Sequence, residues 1–119
     1  MFNPSELGNF TCTEQYYFNP LFPKMKYTDG VQFIGANGAG WLVDKVGSYQ
    51  YDRRLKNEEL QYFQLWKLEK CADGKWLLTC RQDTGMAPVI SETIDFSDFP
   101  IDNFEWYVID GVMLLKSEY

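Results

Sequence analysis

Three aspartates stand close together near the C-terminal end of the chain, in the stretch from Ile94 to Asp102. Carboxylate oxygens are the ligands that Mg²⁺ and Ca²⁺ prefer, so Asp95, Asp98 and Asp102 are candidates for a divalent metal site. Their spacing matches no known loop pattern such as the EF-hand. The alternative interpretation is that these side chains form Asx turns and cap the loop.

The chain contains no histidine, which excludes most hydrolase and transferase mechanisms, because no imidazole base or Ser-His or Cys-His pair exists. The glycine-rich segment from Gly35 to Gly40 lacks the Lys-Ser/Thr pair of a phosphate-binding loop, and we interpret it as a turn between helices. We therefore predict no catalytic residue and no cofactor. An enzyme that uses carboxylates and a divalent metal is the alternative.

The net charge of −6 is concentrated in the last third of the chain. From Asp83 to Tyr119 eight acidic residues accompany a single base, whereas the first 82 residues are close to neutral. A surface of one sign selects partners of the other sign. We therefore predict a non-enzymatic interaction module that docks a basic protein, and the residues expected at the interface are Asp95, Asp98, Asp102 and Glu105.

The composition also limits the partners and the setting. A sequence pI near 4.5 argues against direct binding of nucleic acid, because neutralising phosphates requires Lys and Arg on one face. No apolar run reaches the roughly 18 residues that a membrane span needs, and no basic and then apolar leader opens the chain. The odd number of cysteines fits free thiols in a reducing compartment. We expect a cytoplasmic protein.

The first half of the chain predicts an arm followed by two short helices. Prolines among many aromatic residues make residues 1–26 an arm that its rings pin to the core, with one short helical turn. Thr28 is a good N-cap for a helix from Asp29 to about Ala36, although a strand through Val31–Ile34 competes. A second helix is predicted from the helical spacing of Trp41, Leu42, Val46 and Tyr49, from about Gly40 to Gln50.

In residues 62–119, apolar and polar residues alternate and turn residues separate the runs, which predicts an antiparallel sheet. If Asp73-Gly74 is a two-residue hairpin turn, Cys71 faces Trp76 and Cys80 faces Lys67, so the two thiols are not partners. The predicted strands run from about Tyr62 to Lys70, Lys75 to Arg81, Val89 to Phe96, Phe104 to Ile109 and Val112 to Lys116. The fold class is therefore a single α+β domain over residues 1–119, with helices in 27–50 and an antiparallel sheet of four to five strands.

Asp110-Gly111 is the strongest hairpin signal, and it sets Trp106 opposite Leu115 and Val108 opposite Met113. Both faces of this hairpin are apolar. Either the helices and the arm cover the second face, or a second subunit does, in a homodimer through residues 104–116. Tyr, Trp and Phe make up 18 % of the chain, so exposed rings that bind a sugar or another small molecule are a further alternative.

A series of short motifs resembles a family of small uncharacterised bacterial proteins, also found in phages and plasmids. The motifs are Phe10-Thr11-x-Thr13-Glu14-x-Tyr16-Tyr17, Tyr27-Thr28-Asp29-Gly30-Val31, Trp41-Leu42-x-Asp44, Ser48-Tyr49-Gln50, Phe63-Gln64-x-Trp66-x-Leu68, Leu78-Thr79-Cys80 and Asp110-Gly111-Val112-x-Leu114-Leu115-x-Ser117-Glu118-Tyr119. The resemblance implies a stand-alone domain in an accessory setting and carries over no catalytic residue. In that setting, spaced carboxylates that imitate phosphates would inhibit a nucleic-acid-binding host protein.

Overall fold

The computed structural model describes residues 2–119 and shows a seven-stranded sheet with helices packed on one of its faces. The strands are β1 (Tyr17–Phe18), β2 (Lys26–Tyr27), β3 (Phe63–Lys70), β4 (Trp76–Arg81), β5 (Ile90–Ile94), β6 (Asn103–Ile109) and β7 (Val112–Leu115). The α-helices are α1 (Asp29–Ile34), α2 (Gly40–Tyr49) and α3 (Glu58–Tyr62), and short 3-10 turns occupy Pro4–Asn9, Arg53–Leu55 and Lys116–Glu118. The α+β class and the single domain are confirmed.

The sheet has more strands than the sequence predicts, and it is mixed rather than antiparallel. Its order is β1-β2-β7-β6-β3-β4-β5, and β2 runs parallel to β7. All five predicted strands are present, but the arm adds β1 and β2, each two residues long. Strands of two residues are too short to show an alternation of apolar and polar residues in the sequence. β2 forms because its backbone bonds to the last hairpin, where Lys26 N donates to Gly111 O at 2.9 Å, and β1 forms by pairing antiparallel with β2.

Both predicted helices form close to their expected bounds. Thr28 caps α1 by accepting a hydrogen bond from Val31 N at 3.4 Å. The glycine-rich segment is the turn between α1 and α2, a π-helical turn broken at Gly38, whose φ of 108° favours glycine. The segment between α2 and β3 contains a third helix, α3, that was not predicted from the sequence. Its signal was Asn57, which accepts from Leu60 N at 2.9 Å as an N-cap.

The hairpin of β3 and β4 has a register one residue away from the predicted one. Cys80 pairs with Trp66 rather than with Lys67, and the turn holds three residues rather than two. Gly74 N bonds to Cys71 O, and Gly74 alone has a positive φ of 84°, which is the geometry of a type I turn followed by a bulge. Cys71 and Cys80 are nevertheless free thiols, as is Cys12.

The hairpin of β6 and β7 has the predicted register. Trp106 pairs with Leu115 and Val108 with Met113, and Glu105 forms an ion pair with Lys116 at 3.2 Å. The φ angles are 50° at Asp110 and 78° at Gly111, as a type I′ turn requires.

The two faces of the sheet differ in their cover. The covered face packs against α1 and α2 and holds the core residues Trp66, Leu68, Leu78, Cys80, Ile90, Trp106, Val108, Met113 and Leu115. The open face carries the alternate residues of the same strands, which are half-buried except for the buried Leu65 and Thr79: Phe63, Leu65, Lys67, Thr79, Arg81, Glu105, Tyr107, Ile109, Val112 and Leu114. The helices therefore leave the second face of the last hairpin uncovered.

A buried amide network joins α2 to the covered face. Gln50 and Gln64 exchange two hydrogen bonds, at 2.9 and 2.8 Å, and Gln64 also accepts from Trp66 Nε1 at 2.8 Å. The indole rings of Trp66 and Trp106 stack at 6.3 Å between centroids. Because each amide has its partners, the polar groups are tolerated inside an aromatic core. Within residues 2–119, no helix is long and apolar enough to cross a membrane.

Candidate functional site

The predicted acidic residues lie at one end of the sheet. Asp95 follows β5, Asp98 and Asp102 lie in the connection from β5 to β6, and all three are exposed. Glu105 lies on β6, on the open face, and is half-buried. Asp95 has only a distant ion pair, with Lys75 at 3.9 Å. The carboxylates thus share one end of the molecule, and the fourth already has a cationic partner.

The connection from β5 to β6 (residues 95–102) is anchored to the core at its middle. Phe99 is buried, and the centroid of its ring lies 5.5 Å from that of Phe2 and 5.1 Å from that of Phe104. Ser97 Oγ accepts a hydrogen bond from Phe99 N at 3.0 Å. The loop therefore holds its aspartates on a fixed support, whereas Phe96 beside them is 79 % exposed.

The aspartates do not converge into a metal site. In the part of the chain that the structure describes, no group of three or more His, Cys, Asp or Glu side chains is placed to hold a metal ion. The side chains of Asp95, Asp98 and Asp102 therefore present separate charges to solvent.

Glu92, another acid of the last third, is partly buried and paired inside the fold. It lies on the covered face of β5, where Lys45 Nζ of α2 contacts its carboxylate at 2.8 Å and Tyr49 donates a short hydrogen bond to it. Burial by itself raises the pKa of Glu92, but the hydrogen bonds from Lys45 and Tyr49 outweigh it and leave that pKa lowered. Burial and the Glu92 bond raise the pKa of Tyr49 to about 12. Glu92 therefore ties α2 to the sheet.

Cys80, the buried thiol, is not an activated nucleophile. Burial raises the pKa of Cys80 to about 12, so this thiol stays protonated at neutral pH. Cys80 is a small, fully buried core residue.

A second candidate site lies at the opposite end of β6, which the sequence analysis did not identify. A cavity of about 310 Å³ opens on the open face between the last hairpin, the arm and the C-terminal residues. Its apolar floor consists of Ile109, Val112 and Leu114. The remaining lining residues are Thr13, Tyr16, Thr28, Glu118 and Tyr119. We call this space the hairpin cavity.

One wall of the hairpin cavity is built around Glu118. Its carboxylate accepts hydrogen bonds from Thr28 Oγ1 at 2.7 Å, from Gly30 N at 3.0 Å and from Leu115 N at 3.0 Å. The bonds join the C-terminal turn to the start of α1. A side chain at Gly30 would collide with Glu118, since an added Cβ would lie 2.6 Å from its carboxylate oxygen. Close packing at this glycine therefore sets the position of the wall.

The arm reaches the same place through Asp29. Asp29 accepts hydrogen bonds from Glu14 N at 2.9 Å and from Tyr17 Oη at 3.0 Å, and its own N bonds to Thr13 Oγ1 at 2.9 Å. The Glu14 bond, with those from Tyr17 and Thr13, holds the pKa of Asp29 below its usual range. These contacts place the arm residues Thr13 and Tyr16 beside the cavity.

Part of this arrangement had a signal in the sequence. The Asp110-Gly111 turn predicted the floor, because it fixed which hairpin residues share a face. The walls are formed by motifs near the two ends of the chain. Nothing in their sequence spacing indicates that these motifs come into contact.

The sequence comparisons agree with the resemblance noted above. A model described as a family of unknown function, DUF6876, matches residues 1–119. No curated protein and no solved structure matches the chain. The expected likeness to an uncharacterised family is confirmed, while a phage or plasmid setting stays a prediction.

Proposed function

The chain belongs to the DUF6876 family, a family of unknown function, and we propose that it is a non-enzymatic module that docks a basic partner protein. The observation that carries this proposal is the anchored connection of residues 95–102, which presents exposed Asp95, Asp98 and Asp102 from a fixed support. Glu105 lies on the adjoining strand, where Lys116 pairs with its carboxylate at 3.2 Å and partly neutralises its share of the acidic surface.

The contacts of the carboxylates favour this surface over two other acids of the last third, Glu92 and Glu118. Glu92 is held by Lys45 at 2.8 Å, and Glu118 is held by neutral donors inside the fold. Within residues 2–119, Asp98 and Asp102 have no ion pair. Their field is therefore available to a partner, and it speeds association at low salt.

The partner that this chemistry fits best is a protein that binds nucleic acid. Such a protein carries a face of Lys and Arg that neutralises phosphates. Carboxylates on a rigid support at the end of a sheet imitate a run of phosphates and occlude that face. In a mobile-element setting, the module would act as an inhibitor of a host protein of this kind.

The test compares two variants that lose the same charge. One replaces Asp95→Asn, Asp98→Asn and Asp102→Asn; the matched control replaces the exposed residues Glu58→Gln, Glu59→Gln and Asp83→Asn. Each purified protein is used to capture partners from host lysate, with low-salt and high-salt washes, and captured proteins are identified by mass spectrometry. We expect wild type and control to retain a basic protein that high salt releases.

The triple aspartate variant should lose that partner while keeping the wild-type melting temperature. Equal capture by the wild type and the triple aspartate variant would refute docking through this loop. Adding Glu105→Gln to the triple variant then measures how far the acidic surface extends along β6.

The half-buried hairpin residues on the open face support a competing proposal for that face, a homodimer through residues 104–116. Tyr107, Ile109, Val112 and Leu114 form an apolar half of the open face that another subunit would cover. Light scattering over a range of protein concentrations tests it, and a constant monomer mass would exclude the dimer.

A further inference from the structure

We propose that the hairpin cavity binds a small organic cation with an apolar body, such as an arylalkylammonium or quaternary ammonium ion. This site is separate from the acidic loop, because β6 begins at that loop and ends at the cavity. The two sites are about 20 Å apart, given seven residues of strand at roughly 3.4 Å each.

The volume and the floor suit a small apolar body. Ligand pockets in proteins range from about 300 to 1,000 Å³, and the cavity, at about 310 Å³, falls at the small end. Its floor is a patch of aliphatic side chains, Ile109, Val112 and Leu114, that remain half-buried in the folded chain. Covering this floor removes apolar surface from water, which favours binding.

The charge of the lining selects a cation. Among the residues that the structure describes, Glu118 carries the only charged side chain that lines the cavity, and no Lys or Arg does. The donors that hold its carboxylate, Thr28 Oγ1 and the backbone N–H groups of Gly30 and Leu115, are all neutral. Within residues 2–119, no ion pair compensates Glu118. An anion would be repelled by this wall, and a cation would be attracted.

Two tyrosines at the mouth supply a second interaction for the same charge. Tyr16 is 61 % exposed and Tyr119 is 77 % exposed, although both line the cavity. The Tyr119 ring packs edge-on against Tyr107 at 5.3 Å, which holds it beside the floor. Aromatic faces attract ammonium groups, and the attraction strengthens when the pair is shielded from water. A cation bound here would contact rings, carboxylate and floor together.

The experiment uses two probes of nearly equal shape, the phenethylammonium ion and neutral phenethyl alcohol. Each is titrated into the ¹⁵N-labelled full chain and followed by amide chemical shifts. We expect phenethylammonium to shift the amides of Val112, Leu114, Glu118 and Tyr119. The alcohol should bind at least about 10-fold more weakly, because it fills the same space without the charge.

Variants of exposed residues test the walls without threatening the fold. Tyr16→Ser with Tyr119→Ser should weaken phenethylammonium binding at least about 10-fold, since both rings are lost. The matched control is Phe96→Ser, an equally exposed ring at the acidic end, which should leave binding unchanged. Glu118→Gln should also weaken binding, and the alcohol probe tests the charge independently if that variant fails to fold.

The outcomes separate this proposal from the docking of a basic protein. Neutralising Asp95, Asp98 and Asp102 should leave phenethylammonium binding within about twofold of wild type, because those charges are screened over this distance. Equal binding of the alcohol, shifts confined to residues 95–102, or no shift at all would each overturn the proposal. So would a homodimer that already covers these amides in the absence of the probe.

Discussion

The two faces of the sheet are formed by the same strands, but they differ in burial and in their roles. On the covered face, Trp66 and Trp106 stack beneath the helices, and buried Gln50 and Gln64 satisfy each other. On the open face, most side chains of the same strands stay half-buried, and this face carries a partly exposed ion pair and a cavity. Stability therefore depends mainly on the covered face, whereas the open face is available for binding. Substitutions matched across the two faces test this division.

The largest contrast is expected between neighbours on β7. Met113 is 0 % exposed on the covered face, and Leu114, the next residue, is half-buried on the open face. Met113→Ala should cost about 3 kcal/mol in the free energy of unfolding, because it leaves a cavity in the core. Leu114→Ala should cost about 1 kcal/mol. Urea unfolding of both variants measures the two losses in unfolding free energy. Equal losses would mean that the two faces contribute equally to stability.

The amide network should be the next most costly to break. Gln64→Leu leaves the buried polar groups of Gln50, Trp66 Nε1 and Leu60 O without their partner, so we expect a loss of about 2 kcal/mol. Asn103→Leu is the matched change at an exposed position in the same sheet, and it should stay within about 0.5 kcal/mol of wild type. Thermal and urea unfolding provide the comparison. A neutral Gln64→Leu would show that the network is dispensable.

The ion pair at the edge of the covered face should make stability depend on pH. The pKa of Glu92 is lowered in the folded state, so its contribution is complete above the unfolded value of about 4.3 and is lost as pH falls through the folded value. Glu92→Gln should cost about 1 kcal/mol at pH 7, given a partly exposed pair. Unfolding at pH 7 and pH 3 should show the two proteins converging in acid. A difference that persists at pH 3 would assign the effect to packing instead.

The ion pair on the open face should have the smallest effect. Glu105 and Lys116 are 3.2 Å apart, and both side chains are more than a third exposed. A double-mutant cycle of Glu105→Gln and Lys116→Ala should give a coupling of less than about 0.5 kcal/mol, which salt reduces further. A coupling of about 1 kcal/mol, equal to the cost expected for Glu92→Gln, would contradict the division between the faces.

The two Asp-Gly turns show how far local sequence predicts register. Both were interpreted as two-residue turns, and only Asp110-Gly111 is one. At Asp73-Gly74, glycine alone takes a positive φ, and the extra residue shifts every pair of β3 and β4 by one. The dipeptide permits both turns. The packing of Trp66 and Cys80 on the covered face selects the one that buries them.

The sequence by itself determined the charge asymmetry, the two helices and the last hairpin, because caps, helical periodicity and turn residues act over a few neighbouring positions. It could not place the arm strands, because β2 forms by pairing with β7 of the last hairpin and β1 forms by pairing with β2. Only the tertiary structure decided that Asp95, Asp98 and Asp102 stay separate and that Glu118 meets Thr28 at the hairpin cavity. Contacts between residues 90 positions apart depend on how the whole chain packs, so no local sequence pattern predicts them.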